Sequence, residues 1–538
     1  MSRTLAWLVG WTIVAALFLA FGPWALVGCL LALVLALLTP AGRRALRPRH
    51  PWWGALVAVV VVGLLVATVA WVPTGRLPIP PGAGLLVTPS YVGEPATPRP
   101  VAMAIPQHPF LAANGRNSMH DDGWATDAYR GPGPLGKDPR VDTSWFGLEE
   151  CATLAFDADG RIVAMCGDLR GPLLRVLDPE SMRPLATRRL PDRPDVEGKA
   201  AWENLCAGAY FYLDPDDRAV VATTDRRILQ VETSDERGRP VLEVARTFDV
   251  SDVVPRGDCL VALMPDWSGR IWFATQDGRV GAVDPRTGRA TVRDLGEEVA
   301  NSLAVDATGV YVVTVRALYK VRADRAGKPV VAWRATYDHG SGLKPGQLSA
   351  GSGTTPTVLP GGRVAITDNA DPQMNVVFLD TTTGRTICRA PVFGEGESAS
   401  DNSLVSVGDG GVVVENNYGY GGPDSTMLGR TTSPGIARVD LDGDSCRVAW
   451  TSDEVAPTSV PKASLDNGLA YFYTKRPNRW GVAAWYLTAL DVRTGTTVWS
   501  VRTGLGLFLN NHYAAITLAP DGSAYVATLG GMVRVRDR

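Results

Sequence analysis

Near its C-terminus the chain reads ALDVRTGTTVWSV, residues 489–501. An alternating apolar stretch ends at Asp491, Thr494-Gly495 makes a turn, and Trp499 follows four residues after the glycine. The pattern recurs: VLDPESM carries Asp178, AVDPRTG Asp284, FLDTTTG Asp380 and VDLDGD Asp440. QVETSDERG around Glu232 and KVRADRAG around Asp324 are weaker copies, and VRVRD around Asp537 is truncated. Neighbouring copies lie about 40–60 residues apart, the spacing of propeller blades. Within each unit, β-branched strands alternate with Asp-Gly turns, as in LAFDADGRIVAMCGD and LAVDATGVYVVTV.

The eight acidic positions predict an all-β, eight-bladed β-propeller of four-stranded blades over residues 151–538. The irregular Glu232 copy leaves seven blades open. Asp and Thr side chains bond turn backbone and Gly supplies backbone freedom. A Trp on the outer strand then lies between blades, where it buries a large area. Trp333, Trp450 and Trp499 occupy this place, and Cys388 takes it in another copy. The last copy stops before its outer strand, so a segment within residues 101–150, or just upstream, is needed to close the ring and remove its exposed edges. PVAMAI (100–105) and GLLVTP (84–89) are the candidates.

The stretch Ala489, Asp491, Thr494, Gly495, Trp499 resembles the tryptophan-docking repeat of quinoprotein alcohol dehydrogenases and related PQQ-like propellers. That resemblance implies an eight-bladed ring. It does not imply PQQ, because those enzymes carry a disulfide between adjacent cysteines over the cofactor and this chain has no Cys-Cys pair. Haem attachment through C-x-x-C-H is also missing from the sequence. Cofactor-free relatives include the propeller lipoprotein that scaffolds outer-membrane assembly, so the repeat also serves binding alone.

The N-terminus is of another kind. Residues 1–72 carry five Arg and no acid, giving +5, so the remainder of a chain with net charge −2 sums to −7. An acidic large domain argues against nucleic acid as partner. Apolar runs at 5–21, 24–39 and 53–72 predict a transmembrane anchor of about three helices, broken at Gly22-Pro23. The Arg-rich loop 42–50 stays cytoplasmic by the positive-inside rule, which places the C-terminal domain extracytoplasmic in a multi-pass cell-membrane protein. Eight prolines in residues 73–100 predict an extended linker. On this topology Cys151, Cys166, Cys206, Cys259, Cys388 and Cys446 are in an oxidising compartment. The pairs 151–166, 206–259 and 388–446 are expected. Six cysteines permit fifteen pairings, and buried free thiols are the alternative.

Three stretches carry polar groups of interest. NSMHDDGWATD (117–127) places His120, Asp121 and Asp122 together between linker and first blade, where the loop is able to cap the ring's mouth; His with carboxylates is metal-ligating chemistry, and a polar loop bonding its own backbone is the favoured reading. Asn204, Asn301, Asn369, Asn402, Glu415, Asn417, Asn511 and His512 lie near blade starts or turns, where side chains converge on the channel for a ligand or for Ca²⁺; turn filling between blades is the favoured reading. DLDGDS, with Asp440, Asp442 and Asp444, lacks the full EF-hand pattern and fits a hairpin turn. Neither a G-x-S-x-G elbow nor a P-loop occurs. The chain is therefore read as a binding or scaffold module for a protein or cell-envelope glycan. The alternative is a calcium-dependent lactonase-type hydrolase or a quinoprotein-like oxidoreductase with a central-channel site. Whether it is an enzyme stays open, with the weight on binding.

Overall fold

The computed structural model describes residues 3–46, 56, 59–60, 63, 72–113, 115–168, 170–193, 206, 210–408 and 410–538. Eight sheets follow one another around a ring. Blades 1 to 7 comprise residues 150–189, 212–249, 260–294, 304–336, 357–391, 405–452 and 462–505, and blade 8 is built on 516–536. Each is an antiparallel meander whose first strand is innermost; the first strands of successive blades 3 to 8 touch one another. The acids at 178, 232, 284, 324, 380, 440, 491 and 537 fall one to a blade, so the count is eight and not seven.

Burial explains the sequence pattern. Leu260–Pro265 and Ile271–Thr275 are buried at every residue, because an inner strand is covered by a neighbouring blade on each face. Outer strands alternate: Pro184–Arg189 is half-buried and exposed by turns. Blade 2 is irregular because its third strand, Arg227–Ser234, is bulged at Gln230/Val231 and Glu232/Ser234.

Ring closure falls to Arg140–Trp145, which pairs antiparallel with Gly531–Arg536 as the fourth strand of blade 8. Neither apolar candidate takes that place. Val101 instead donates its N–H to Leu465 O beside blade 7, and Gly84 and Leu85 donate to Leu19 O of the first helix. The Pro-rich stretch follows the ring's surface: Tyr91–Gly93 adds a strand outside Thr497–Leu505 of blade 7, and Ile79 N–H bonds Thr143 Oγ1.

The docking of tryptophan is an inter-blade contact. Trp333 of blade 4 donates to Thr381 O in the turn of blade 5 and lies against Gly384; Trp450 of blade 6 donates to Val492 O and covers Gly495 of blade 7. A Cβ at Gly495 would enter the Trp450 ring, and φ there is +70°. Trp499 of blade 7 meets an equivalent turn beside blade 8. Residues 135–137 supply it. Asp537 accepts the N–H groups of Leu135 and Lys137, at 2.7 and 2.9 Å, and Trp499 packs on Gly136. In blade 5 the docking position is Cys388, and a disulfide to Cys446 of blade 6 replaces the packed ring. Cys151–Cys166 and Cys206–Cys259 are the other two pairs.

At the N-terminus α1 (Arg3–Phe21), α2 (Pro23–Leu38) and α3 (Pro40–Leu46) are helical, with Gly22 at φ +81° between α1 and α2. Among the described residues no helix is long and apolar enough to cross a membrane, which corrects the expectation of transmembrane helices. At 19 and 16 residues, α1 and α2 measure about 28 and 24 Å, against a hydrocarbon core of ~30 Å. Residues 53–72 lie largely outside the described residues. The α1–α2 tip meets the propeller: a Cβ on Gly22 would stand 2.6 Å from Val482.

Candidate functional site

Residues 116–129 do not cap the ring's mouth; they occupy its axis. Arg116 O accepts from Phe156 N–H of blade 1, Asn117 O from Leu213 of blade 2, Gly123 O from Val305 of blade 4, and Trp124 O from Val358 of blade 5. Thr126 O accepts from Ser406 of blade 6, and Asp127 and Tyr129 O from Ala463 and Leu465 of blade 7. Arg116 Nε donates to Leu518 O of blade 8. Ala128–Tyr129 runs parallel to the innermost strand Lys462–Ser464. These partners lie at or beside the C-terminal ends of the innermost strands, so the axial segment fills that end of the channel.

The axial segment is fixed by buried charge. Lys462 and Asp127, both fully buried, form an ion pair. Asp127 also holds His120 Nδ1 at 3.0 Å, and His120 Nε2 lies 3.2 Å from Thr355 Oγ1. Both ring nitrogens are thus engaged. Asp121 is buried beside this group, and burial pushes its carboxyl well above the usual range against the pull of Lys462. Asp122 bonds its own loop, accepting from Trp124 N–H at 2.8 Å and Thr126 Oγ1 at 2.5 Å. Burial raises its carboxyl to about 7.

Above the axial segment, at the N-terminal ends of the innermost strands, lies a cavity of about 440 Å³. Met119 and His120 border it from the axial segment; its walls are Glu150 and Ala152 of blade 1, Tyr210 ahead of blade 2, and the loops entering blades 4, 5, 6 and 8. Leu148, Met165, Leu348, Leu507 and Phe508 give these walls an apolar lining. Among the acids, Glu150 Oε1 is buried without a hydrogen-bond partner among the described residues, and burial alone drives its carboxyl well above the usual range. Burial also raises Asp401 to about 7, partly offset by a bond from Leu348 N–H. His512 lies 2.9 Å from Tyr420 Oη, and burial lowers it to about 4.

The residues singled out in the sequence divide. Asn301, Asn402 and His512 line the cavity. Asn402 and Asn417 both donate to Glu415 Oε1, at 2.7 and 2.9 Å, while Ser459 Oγ donates to Oε2 at 3.2 Å. Burial lifts Glu415 to about 8. These three side chains converge on one another behind the cavity wall, with hydrogen-bond donors directed at the carboxylate. Asn511 bonds Thr458 and its own turn at Ala514; Asn369 ties the 338–342 loop through His339 and Gly342 carbonyls. Asn204 lies outside the described residues. One cluster of metal-ligating types is present among the described residues, Glu149 with Cys151 and Cys166; the two sulfurs are bonded to each other and Arg175 grips both oxygens of Glu149, which leaves no ligand set. Asp442 and Ser445 close the hairpin of DLDGDS.

Sequence reasoning passed over Glu150, Asp401 and Lys462. Asp401 adjoins Asn402 in SDNSL, and Lys is rare beside Arg, so a lysine at the head of an inner strand was the available signal.

No family model matches the chain. An uncharacterized protein of Archaeoglobus fulgidus is 29% identical over 335 residues, covering 55% of this chain and 64% of that protein. The chain thus spans less than two thirds of that relative's length. Among solved structures, BamB from Moraxella catarrhalis is similar over 72% of this chain and 94% of its own, at 15% identity and a TM-score of 0.45. A streptogramin B lyase structure is similar over 74% and 98%, at 10% identity and a TM-score of 0.40. The eight-bladed assignment itself rests on the strand pairing.

Proposed function

We propose that the chain is a binding propeller held at the outer side of a membrane by its N-terminal helices, and that the axial cavity receives a cell-envelope ligand or a projecting group of an envelope protein. The observation that carries the reading is the chamber's construction. One end of the channel is filled by residues 116–129, and the other is walled by loops entering successive blades, so a concave, largely apolar pocket with a few polar groups remains. The tether is supported by the exposure of Trp11, Leu30 and Leu35 at 64%, 60% and 64%. The outer side is supported by the disulfides Cys151–Cys166, Cys206–Cys259 and Cys388–Cys446, which persist in an oxidising compartment.

The test uses the full chain in detergent, incubated with an envelope extract, recovered, and denatured to release bound molecules for mass spectrometry. Ser349→Trp, which fills the chamber from its wall, is expected to lose them at unchanged thermal stability. Retention by that variant would refute the cavity as the site. Protease added to intact cells is expected to digest the ring; full protection would refute the placement.

A further inference from the structure

The wall groups of the chamber specify the charge of what it binds. Glu150 stands at the head of blade 1's innermost strand, Asp401 in the loop entering blade 6. Glu150 lies within electrostatic reach of Tyr420 and Asp401 within that of Tyr210, and Asp401 accepts a bond from the Leu348 N–H. The other charged or titratable groups on the wall are Arg193, Asp168, His120, His512 and the phenols of Tyr210 and Tyr513. Asp168 is already satisfied by Arg189 at 2.6 Å, and His120 by Asp127 and Thr355. Glu150 Oε1 is therefore left without a donor among the described residues, and Asp401 has the Leu348 N–H as a donor, inside a pocket otherwise lined by Leu148, Met165, Leu348, Leu507 and Phe508. A buried acceptor without a donor costs free energy, and a charged donor delivers the strongest compensation.

We propose that this chamber binds an organic cation, an ammonium or guanidinium group on a compact apolar body, with Glu150 and Asp401 as its counter-charges. The proposal rests on the chamber being the ligand site and adds the chemical class. In the empty chamber burial favours the protonated carboxyls. The incoming cation is paired by a carboxylate, so each carboxyl that engages it gives up one proton to solvent. Arg193, whose Nε lacks a partner among the described residues, stands on the same wall and gives an anion its rival place.

The experiment is isothermal titration of the full chain in detergent with three probes of one shape: phenethylamine, 2-phenylethanol and 3-phenylpropionate. The amine is expected to bind best, with an enthalpy that varies with the buffer's ionisation enthalpy, because protons are released. Glu150→Gln and Asp401→Asn are each expected to weaken the amine roughly tenfold or more without lowering thermal stability. Tighter binding of the alcohol or the propionate, with those variants neutral, would overturn the charge assignment and leave the chamber intact as a site. Binding of none of the three, with Ser349→Trp also indistinguishable from wild type in the envelope capture, would overturn both.

Discussion

The turn that Leu135–Lys137 lends to Asp537 makes Gly136 the sharpest point at which to challenge the ring. Its φ is +78°, and an added Cβ would lie 2.7 Å from Trp499 Cγ and 2.8 Å from Tyr91 Oη. Gly136→Ala therefore incurs two costs. The left-handed backbone costs an L-residue about 1–2 kcal/mol. The second cost is displacement of Trp499, which is fully buried. A buried aromatic removes roughly 200 Å² from water, worth up to ~5 kcal/mol at ~25 cal/mol/Å²; half of that is a fair measure of a ring pushed aside but not expelled. Gly160 provides the control, with φ +75° and nothing within 4 Å of a Cβ. Gly160→Ala isolates backbone strain, so the two variants should differ by about 2 kcal/mol. Hydrogen exchange is the appropriate assay, since the damage is local. Amides of Arg140–Trp145 and Gly531–Arg536 should lose roughly 30-fold more protection in Gly136→Ala than in Gly160→Ala, at about 1.4 kcal/mol per decade. Equal effects of the two substitutions, or loss spread evenly over all eight blades, would refute the claim that Gly136 completes a docking turn.

Replacing Cys388 and Cys446 by Ser severs the link between blades 5 and 6; a closed loop of 58 residues is worth about 4 kcal/mol in the chain-entropy account, so the guanidinium midpoint should fall, and an unchanged midpoint would refute a stabilising role. Lys462→Met leaves Asp127 buried without its cation and should cost ~3–5 kcal/mol, with part of it recovered by adding Asp127→Asn. Limited proteolysis within residues 117–127 reads the same event, and resistance equal to wild type counts against it. Asp401 holds its proton up to about 7 in the folded chain, whereas the unfolded chain loses it near the ordinary carboxylate value of 3.8. The native state is then the better protonated between those values, and this residue's contribution to stability falls as pH rises through that window. Asp401→Asn should therefore gain stability over wild type at pH 8 and not at pH 4, in thermal unfolding across pH. A pH-independent gain would contradict the assigned cause.

The blade count was legible because each docking turn is local: Asp491, Gly495 and Trp499 sit within nine residues, and the same chemistry serves every copy. Even the irregular copy kept its place, since the bulges around Glu232 displace the acid without removing a strand. The closing strand was not legible. Arg140–Trp145 is only one-third apolar and buried chiefly at Ser144 and Trp145, so PVAMAI and GLLVTP are the more hydrophobic candidates. What selects it is the edge strand Gly531–Arg536, distant in sequence, which no local pattern reveals. The candidate site divides in the same way. Asn402 could be read from a turn-rich stretch beside its blade. Glu150 and Asp401 look like ordinary surface acids until blade 1 and the loop entering blade 6 are brought to one axis. The helical hairpin broke at Gly22-Pro23 as composition required, but the lengths of its two arms set what it can span.

In a tandem array where each unit touches only the next, stability sums over nearest neighbours, and distant units ignore one another. Residues 116–129 remove that independence here. A single fourteen-residue strand of chain is hydrogen-bonded to seven of the eight blades, so blades 2 and 6, which never meet directly, share a common backbone partner. Loosening any of these seven inner strands reaches the opposite side through that shared axle in one step. Met119 and His120, on the same axle, also line the chamber, so occupancy there is positioned to be felt by the whole wheel at once.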